Sequence, residues 1–457
     1  MKKKFLFVLL VLAMLASLSA CSGSAGNPPS PESGVSEPSD ATSDPFNVNV
    51  TLDDTVLVDE DGVKITATGL AHTAYSVDLE LTIENNSGKD LSFVSGSLGY
   101  SCNSVNGYMV DDGYLNCNVG NGKKANDIIS FSYDTLMLYG IDEIADLEIG
   151  ISMTDGNYNT TYLGPRQLKT SAFETHDYGT DHYQETISSK AAVNTYGYEI
   201  GYFSQDALYN QNGVKLLSSS IITNRDGGMA LLLELENTSD NMVYLSTSDI
   251  AINGLVVNSS IWSSDAINPG KRCIVDVDLS AVLAPAYCGI YGISQVGTVS
   301  LSLGQCNADG IVLAVETPIE IVVPDVNASF DETGTEVYNS NGLKIVLKSL
   351  AEDPSDYSSD LSVLLLAENN SGKTLTIKDA YDSLSVNGFM TDYSYYSQEL
   401  RDGDSAVMEI KLWESSLADN QITLPSDIQE IEFGLEIQAG YTVLDQLTLT
   451  LMFEESA

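Results

Sequence analysis

Three stretches of the chain alternate apolar and polar residues in the same phase. Val77, Leu79, Leu81 and Ile83 fall on one face, with Asp78, Glu80, Thr82 and Glu84 on the other. Met229, Leu231, Leu233 and Leu235 repeat that phase, and Leu361, Val363, Leu365 and Ala367 repeat it again. A period of two with one polar face predicts a strand whose other face lies in a core. In the third stretch Leu364 and Leu366 interrupt the polar face, which predicts cover on both sides.

Each stretch runs into the same kind of turn. Glu84-Asn85-Asn86-Ser87-Gly88-Lys89 returns as Glu368-Asn369-Asn370-Ser371-Gly372-Lys373, and more loosely as Glu236-Asn237-Thr238-Ser239-Asp240-Asn241. Asn and Gly tolerate positive φ, and Asn or Ser side chains bond the local backbone, so these are turns by composition. Upstream, Asp61-Gly62, Asn212-Gly213 and Asn341-Gly342 join two apolar runs; downstream, Asn106-Gly107, Asn253-Gly254 and Asn387-Gly388 do the same. Such pairs between apolar runs predict β-hairpins. Polar turns follow at Gly122-Lys123, Gly270-Lys271 and Gly403-Asp404, then alternating strands, then short segments around Leu136, Val282 and Leu417 that suit one or two helical turns. Landmarks recurring in one order predict three copies of one domain. About seven short strands per copy, with turn signals between them and no long amphipathic helix, predict an all-β chain of three tandem immunoglobulin-like β-sandwiches. The boundaries read as 46–172, 196–324 and 336–457. Residues 173–195 form a linker or an added hairpin, and 325–335 a second linker.

The N-terminus predicts an address. Lys2, Lys3 and Lys4 precede an apolar run from Phe5 to Leu18, the length of a signal peptide and short of a membrane span. Leu18-Ser19-Ala20-Cys21 resembles the bacterial lipobox, so residues 1–20 are expected to be removed and Cys21 lipidated. Residues 22–45, rich in Ser, Pro, Gly and acids, hold too little apolar surface to fold and read as a tether. The formal charge is −44, from 20 Lys+Arg against 64 Asp+Glu. That argues against nucleic acid, whose phosphates need clustered cations, and for weak Ca²⁺ attraction without a built site. With Cys21 used by lipid, five cysteines remain. Cys102 and Cys117 flank one predicted hairpin and are within reach of each other, and burial as small apolar residues explains all five equally well.

Catalytic options are narrow. His176-Asp177-Tyr178-Gly179-Thr180-Asp181-His182 is the most ligand-like run, but its spacing matches no zinc pattern and it reads as a solvated linker. Asp59-Glu60-Asp61-Gly62 has the acids of a calcium loop, yet Leu70 stands where an EF-hand needs Glu, so the turn reading stands. No nucleophile elbow, phosphate loop or dinucleotide fingerprint occurs, and no cofactor is expected. For binding, the loop tyrosines are the better clue: Tyr108 and Tyr114 in the first repeat, Tyr393, Tyr395 and Tyr396 in the third. Tyrosine supplies contact area with a polar tip, suited to sugars or protein, though it is also a good strand former.

The lipobox, the tether and modules bearing E-N-N-S-G-K and V-N-G together resemble surface lipoproteins of Gram-positive, Clostridia-like bacteria. Their modules are similar to immunoglobulin-like domains of secreted mycobacterial antigens and of families of unknown function. The resemblance covers nearly the whole chain after residue 20, and its motifs are turn motifs that imply a fold and carry over no catalytic residue. Address, tether, modules and the lack of a catalytic motif together predict a lipid-anchored protein on the extracytoplasmic face of the membrane, binding an envelope protein or glycan without catalysis. The alternatives are an accessory subunit or sensor of a membrane complex, and a hydrolase with an unrecognised carboxylate pair.

Overall fold

The computed structural model describes residues 46–96, 103–257, 265–353 and 360–453. The leader, Cys21, the tether and Cys102 lie outside the described residues. From Phe46 onward the chain forms one compact unit.

In the first repeat the strands are β1 (Thr55–Glu60), β2 (Val63–His72), β3 (Ser76–Asn85), β4 (Leu91–Ser95), β5 (Ser104–Val105), β6 (Tyr108–Met109), β7 (Leu115–Val119), β8 (Lys123–Ser132), β9 (Asp146–Asp155) and β10 (Thr160–Lys169), with helix α1 (Tyr133–Leu138) before β9. One sheet runs β1-β2-β3-β8; in the other β4 lies between β7 and β9, with β10 and the short β5–β6 hairpin also on β9. The chain crosses between sheets after β3, β7 and β8, the Greek-key order of an immunoglobulin-like sandwich. Val77, Leu79, Leu81 and Ile83 point inward as the alternation requires, into a core shared with Phe93, Leu147 and Ile149.

The second repeat follows two short helices, α2 (His182–Ile187) and α3 (Lys190–Tyr196). Its strands are β11 (Tyr198–Ser204), β12 (Asn210–Gln211), β13 (Val214–Asn224), β14 (Met229–Asn237), β15 (Val243–Ile252), β16 (Leu255–Val257), β17 (Asp265–Ile267), β18 (Arg272–Asp278), β19 (Thr298–Cys306) and β20 (Val312–Val322), with α4 (Leu279–Val282) and α5 (Pro285–Cys288) before β19. The third has β21 (Thr335–Ser340), β22 (Leu343–Glu352), β23 (Leu361–Asn369), β24 (Leu375–Asp379), β25 (Ser385–Val386), β26 (Phe389–Met390), β27 (Tyr393–Tyr395), β28 (Gln398–Leu400), β29 (Ser405–Leu412), β30 (Glu430–Ala439) and β31 (Thr442–Met452), with α6 (Glu414–Asp419) before β30. Three core clusters follow the three repeats, and the second also takes in Met109 of the first repeat and Val346, Leu364, Leu366 and Val407 of the third. Segment 173–195, expected as a linker or an added hairpin, instead holds α2 and most of α3. The Asp181 and Ser189 side chains cap their N-termini, and Tyr183 and Ile187 pack into the first core.

The six expected two-residue hairpin turns place both central residues at positive φ, from Asp61 (51°) and Gly62 (78°) to Asn387 (50°) and Gly388 (81°). That geometry matches the twist of the flanking strands. The first Asn of each signature is fully buried and serves as a bracket. Asn85 Nδ2 donates to the Lys89 and Val119 carbonyls at 2.8 and 2.7 Å. Asn237 donates to Asn241 and Ile267, and Asn369 to Lys373 and Leu400, at the same kind of distance. The hairpin asparagines do likewise: Asn106 and Asn387 each donate to one carbonyl and Asn253 to two, and all three accept from two successive amides leading into the next long strand.

The repeats are joined edge to edge. β6 pairs in parallel with β18, Tyr108 opposite Arg272, and β16 pairs in parallel with β29, Leu255 opposite Ser405. Counting from Asn106-Gly107 and Asn253-Gly254, and from Gly270 and Gly403, these are equivalent positions in one register. Leu364 and Leu366 are covered on both sides as expected, because they pack into the second repeat's core.

Candidate interaction surface

Among the described residues no group of three or more His, Cys, Asp or Glu side chains is arranged to hold a metal ion. The His176 and His182 rings lie 5.5 Å apart, but the acids between them are engaged by other groups of the chain. Asp177 accepts from the Gly179 amide and the Thr180 hydroxyl, and Asp181 caps α2. A shallow cavity of about 430 Å³ beside the second repeat's signature turn is lined by Asn212, Ser239, Asn241, Asn307, Asp309 and Leu313. A single carboxylate with amides offers no acid–base pair there.

The joint between the first and second repeats gathers several charged groups. The Arg272 amide donates to the Gly107 carbonyl at 2.8 Å, completing the edge pairing. Its guanidinium donates to Asp181 at 2.6 Å, to Glu234 at 3.1 Å and to the Tyr108 hydroxyl at 3.1 Å. Beside it Lys271 bridges to Glu148 at 2.8 Å. Glu234 is fully buried and also accepts from Gln184 and Ser218, at 2.6 and 2.8 Å. Burial pushes the Glu234 carboxyl up to about 7, against the pull of the Gln184 and Ser218 hydrogen bonds and of Arg272. Arg272 moves up as well: burial alone would lower it, and Tyr108, Glu234 and Asp181 outweigh that. The two directions have different causes: burial disfavours the Glu234 carboxylate, and the surrounding acids and Tyr108 favour the Arg272 cation.

The joint between the second and third repeats is apolar along its paired edge, with polar contacts at its margins: Arg401 pairs with Asp249, and the Tyr287 hydroxyl donates to Glu409 at 3.2 Å. Leu255 and Val257 are buried, Leu364, Leu366 and Val407 pack beneath them, and the Tyr291 hydroxyl donates to the Leu365 carbonyl at 3.0 Å.

The third repeat builds the same hairpin and leaves it open. Phe389 and Met390 occupy the positions of Tyr108 and Met109 and of Leu255 and Val256, yet they are 53% and 62% exposed, against 6% for Tyr108 and 0% for Leu255. β26 pairs with β25 alone, so its other edge carries no strand among the described residues. Trp413 and Leu424 are also exposed, and the neighbouring turn is held by Asn420 donating to the Met390 carbonyl.

The loop tyrosines do not form one surface. Tyr108 is sealed in the first joint, so it has no face for an outside ligand. Tyr393 and Tyr395 stand edge-on against Phe433, at ring distances of 5.5 and 5.4 Å, and bond Asp379 and the Ile377 carbonyl through their hydroxyls. They cover the core, as strand-forming tyrosines do. Tyr114 and Tyr396 remain exposed, at 52% and 73%, with Tyr114 bridged to Ser130 on the edge of β8. Sequence reasoning passed over Phe389 and Met390, although their place directly after the third Asn-Gly turn was legible.

No protein-family model matches the chain, and no curated protein does. Solved structures share distant likeness. One is a protein of unknown function from Porphyromonas gingivalis W83, at 10% identity and TM-score 0.15, covering 50% of this chain and 91% of that one. Another comes from work on host cell surface retention of a 1.5-MDa bacterial ice-binding adhesin, at 10% identity and TM-score 0.13, covering 82% and 88%. A third is the exo-chitosanase CsxA of Amycolatopsis orientalis, at 9% identity and TM-score 0.16, covering 51% of this chain and 26% of that one. Superpositions this distant carry no conclusion about what the present chain binds or does.

Proposed function

We propose that this chain is a non-catalytic interaction protein of the bacterial cell envelope, anchored by lipid on Cys21 to the extracytoplasmic face of the membrane and presenting immunoglobulin-like modules beyond a flexible tether. The single observation that supports a binding role best is the open third hairpin. The fold buries this hairpin twice, and its third copy exposes Phe389 and Met390 to water. Exposed apolar groups beside an unpaired strand edge mark a docking site rather than a finished surface. A role as accessory subunit of a membrane complex is the same chemistry with a membrane protein as partner.

The test is a cross-linking capture from intact source cells, with the Ser22–Ala457 chain as bait. Saturable capture that is lost in Phe389→Asp supports the reading; equal capture by both baits removes the hairpin from it. The anchor is tested separately: Cys21→Ser should release the protein or leave its precursor uncut, and unchanged membrane retention refutes lipidation.

A further inference from the structure

We propose that the open hairpin of the third repeat docks on the open edge of β8 in the first repeat of a second copy, so that copies associate head to tail. The two internal joints define the rule. In each, the residue after the Asn-Gly turn lies opposite the second residue after the polar Gly turn, in parallel register: Tyr108 with Arg272, and Leu255 with Ser405. The donor half of that joint is unused in the third repeat. Among the described residues the acceptor half carries no strand in the first repeat, where β8 ends its sheet beside β3. By register, Phe389 would face Lys124 and Met390 would face Ala125.

Pairing on the acceptor side confirms the equivalence. Glu84 lies opposite Lys124, Glu236 opposite Arg272 and Glu368 opposite Ser405. The Lys124 amide therefore stands where the Arg272 amide donates to Gly107. The far half of the edge is also used alike: Tyr114 bridges Ser130 in the first repeat, and Ser394 pairs with Lys411 in the third. What stays open on β8 is the half that takes the hairpin elsewhere.

The side chains at the two open ends also match the charged joint. There Lys271 of the acceptor bridges to Glu148 of the donor, and Arg272 packs against Tyr108, its guanidinium carbon 5.8 Å from the ring centre. At the chain's ends Lys123 stands for Lys271, Lys124 for Arg272, Phe389 for Tyr108 and Met390 for Met109. Glu432 stands for Glu148, since Ser385 lies opposite Glu432 as Ser104 lies opposite Glu148. Lys123 and Glu432 are both exposed. The apolar joint offers Ser405 and Asp404 at the lysine positions, so the ends reproduce the charged joint and not the apolar one. Two adjacent lysines on the one open acceptor edge of so acidic a chain give local complementarity where net charge alone would repel. A joint of unlike surfaces does not close on itself at two copies; it grows, or it closes as a ring.

This inference goes beyond the proposed envelope role and stands on the joint geometry alone, so its failure leaves capture of another partner unaffected. The test is sedimentation equilibrium of the Ser22–Ala457 chain over roughly 1 to 500 µM, the range in which a small joint of this kind is measurable. The wild type should gain mass with concentration, without a plateau at two copies in open growth. Met390→Asp spoils the donor and Lys123→Glu the acceptor, and each alone should weaken association about 10-fold or more. Mixing the two variants should restore a 1:1 dimer that stops there, because each contributes its one intact end. Lys123→Glu combined with Glu432→Lys should regain the wild-type behaviour, which also separates a lost contact from a damaged fold. A wild type monomeric throughout, a plateau at two copies that survives Met390→Asp, or a mixture that stays monomeric overturns the proposal.

Discussion

The charged joint makes a quantitative prediction about pH. Glu234 carries its proton up to about 7 in the folded chain, against 4.5 in an unfolded one. Between those values the native state binds more protons than the unfolded state, so stability falls as pH rises. The stabilisation is fully present below pH 4.5 and lost as pH rises through about 7. At 1.36 kcal/mol per unit the loss is at most about 3 kcal/mol. Glu234→Gln removes the titration while keeping the shape. Its absolute stability depends on how the amide meets Gln184 and Arg272, but its slope between pH 5 and 8 should be flatter by about 2–3 kcal/mol in total. Arg272→Met tests the other side. It leaves a fully buried carboxylate without its cation, which costs about 3–5 kcal/mol when that group is ionised. At pH 5 Glu234 takes up a proton instead, so the cost should be smaller there than at pH 8. The assay is hydrogen exchange at β14 and β18, corrected for the intrinsic pH dependence of exchange, because the joint opens locally and need not follow global unfolding. An unchanged pH slope in Glu234→Gln, or an Arg272→Met cost equal at pH 5 and pH 8, refutes the reasoning.

Two further predictions concern single residues. Asn369→Ala removes donors to the Lys373 and Leu400 carbonyls and an acceptor for the Ser371 amide, and should cost about 2–4 kcal/mol in urea unfolding. Asn369→Asp should cost more above the carboxylate range, since it turns an acceptor toward those two carbonyls; equal tolerance of Asp and Asn would show that the bracket does not matter. Cys117 is held at about 11, first by burial and then by Asp127, so its thiol should react with iodoacetamide at pH 8 at least about 10-fold more slowly in the folded chain than in urea. Failure to label in urea without reductant would instead show that it is already oxidised.

The fold was legible because its information is local. Alternation fixed which face of β3, β14 and β23 is buried, and Asn-Gly pairs fixed the hairpins. The reason the first signature Asn recurs was out of reach. Each copy is a turn by composition, yet its decisive bonds reach carbonyls 34, 30 and 31 residues away, and no local pattern encodes such a partner. The second repeat shows which part of the signature matters. Thr238 and Asp240 replace Asn and Gly, but Asn237 keeps its bracket and Ser239 still bonds its oxygen at 2.7 Å, so the varied positions are those facing water. Helices α2 and α3 were missed because six and seven residues are too few to display a helical period, although their caps, Asp181 and Ser189, stood in the sequence.

Tyr108, Tyr393 and Tyr395 are covered while Tyr114 and Tyr396 are exposed, and the sequence could not separate them for a different reason. A period of two separates inner from outer faces of a sheet, and composition marks aromatic loops, but neither speaks of strand edges. An edge is a row of backbone donors and acceptors whose side chains differ little from those of a paired strand. Tyr108 and Phe389 are therefore indistinguishable by residue type, each an aromatic after Asn-Gly, while one is sealed by Arg272 and the other lies open. What separates them is pairing: β18 of the second repeat lies on the edge of the first hairpin, and among the described residues no strand lies on the open edge of the third. Joined edge to edge, three copies of one unit must leave one donor and one acceptor unmatched. At the donor end the exposed Phe389 and Met390 are not the side chains of a protected edge. At the acceptor end Lys123 and Lys124 are also the residues that guard edges, so it is the charge exchange between Lys123 and Glu432 that separates a joint from a guarded edge.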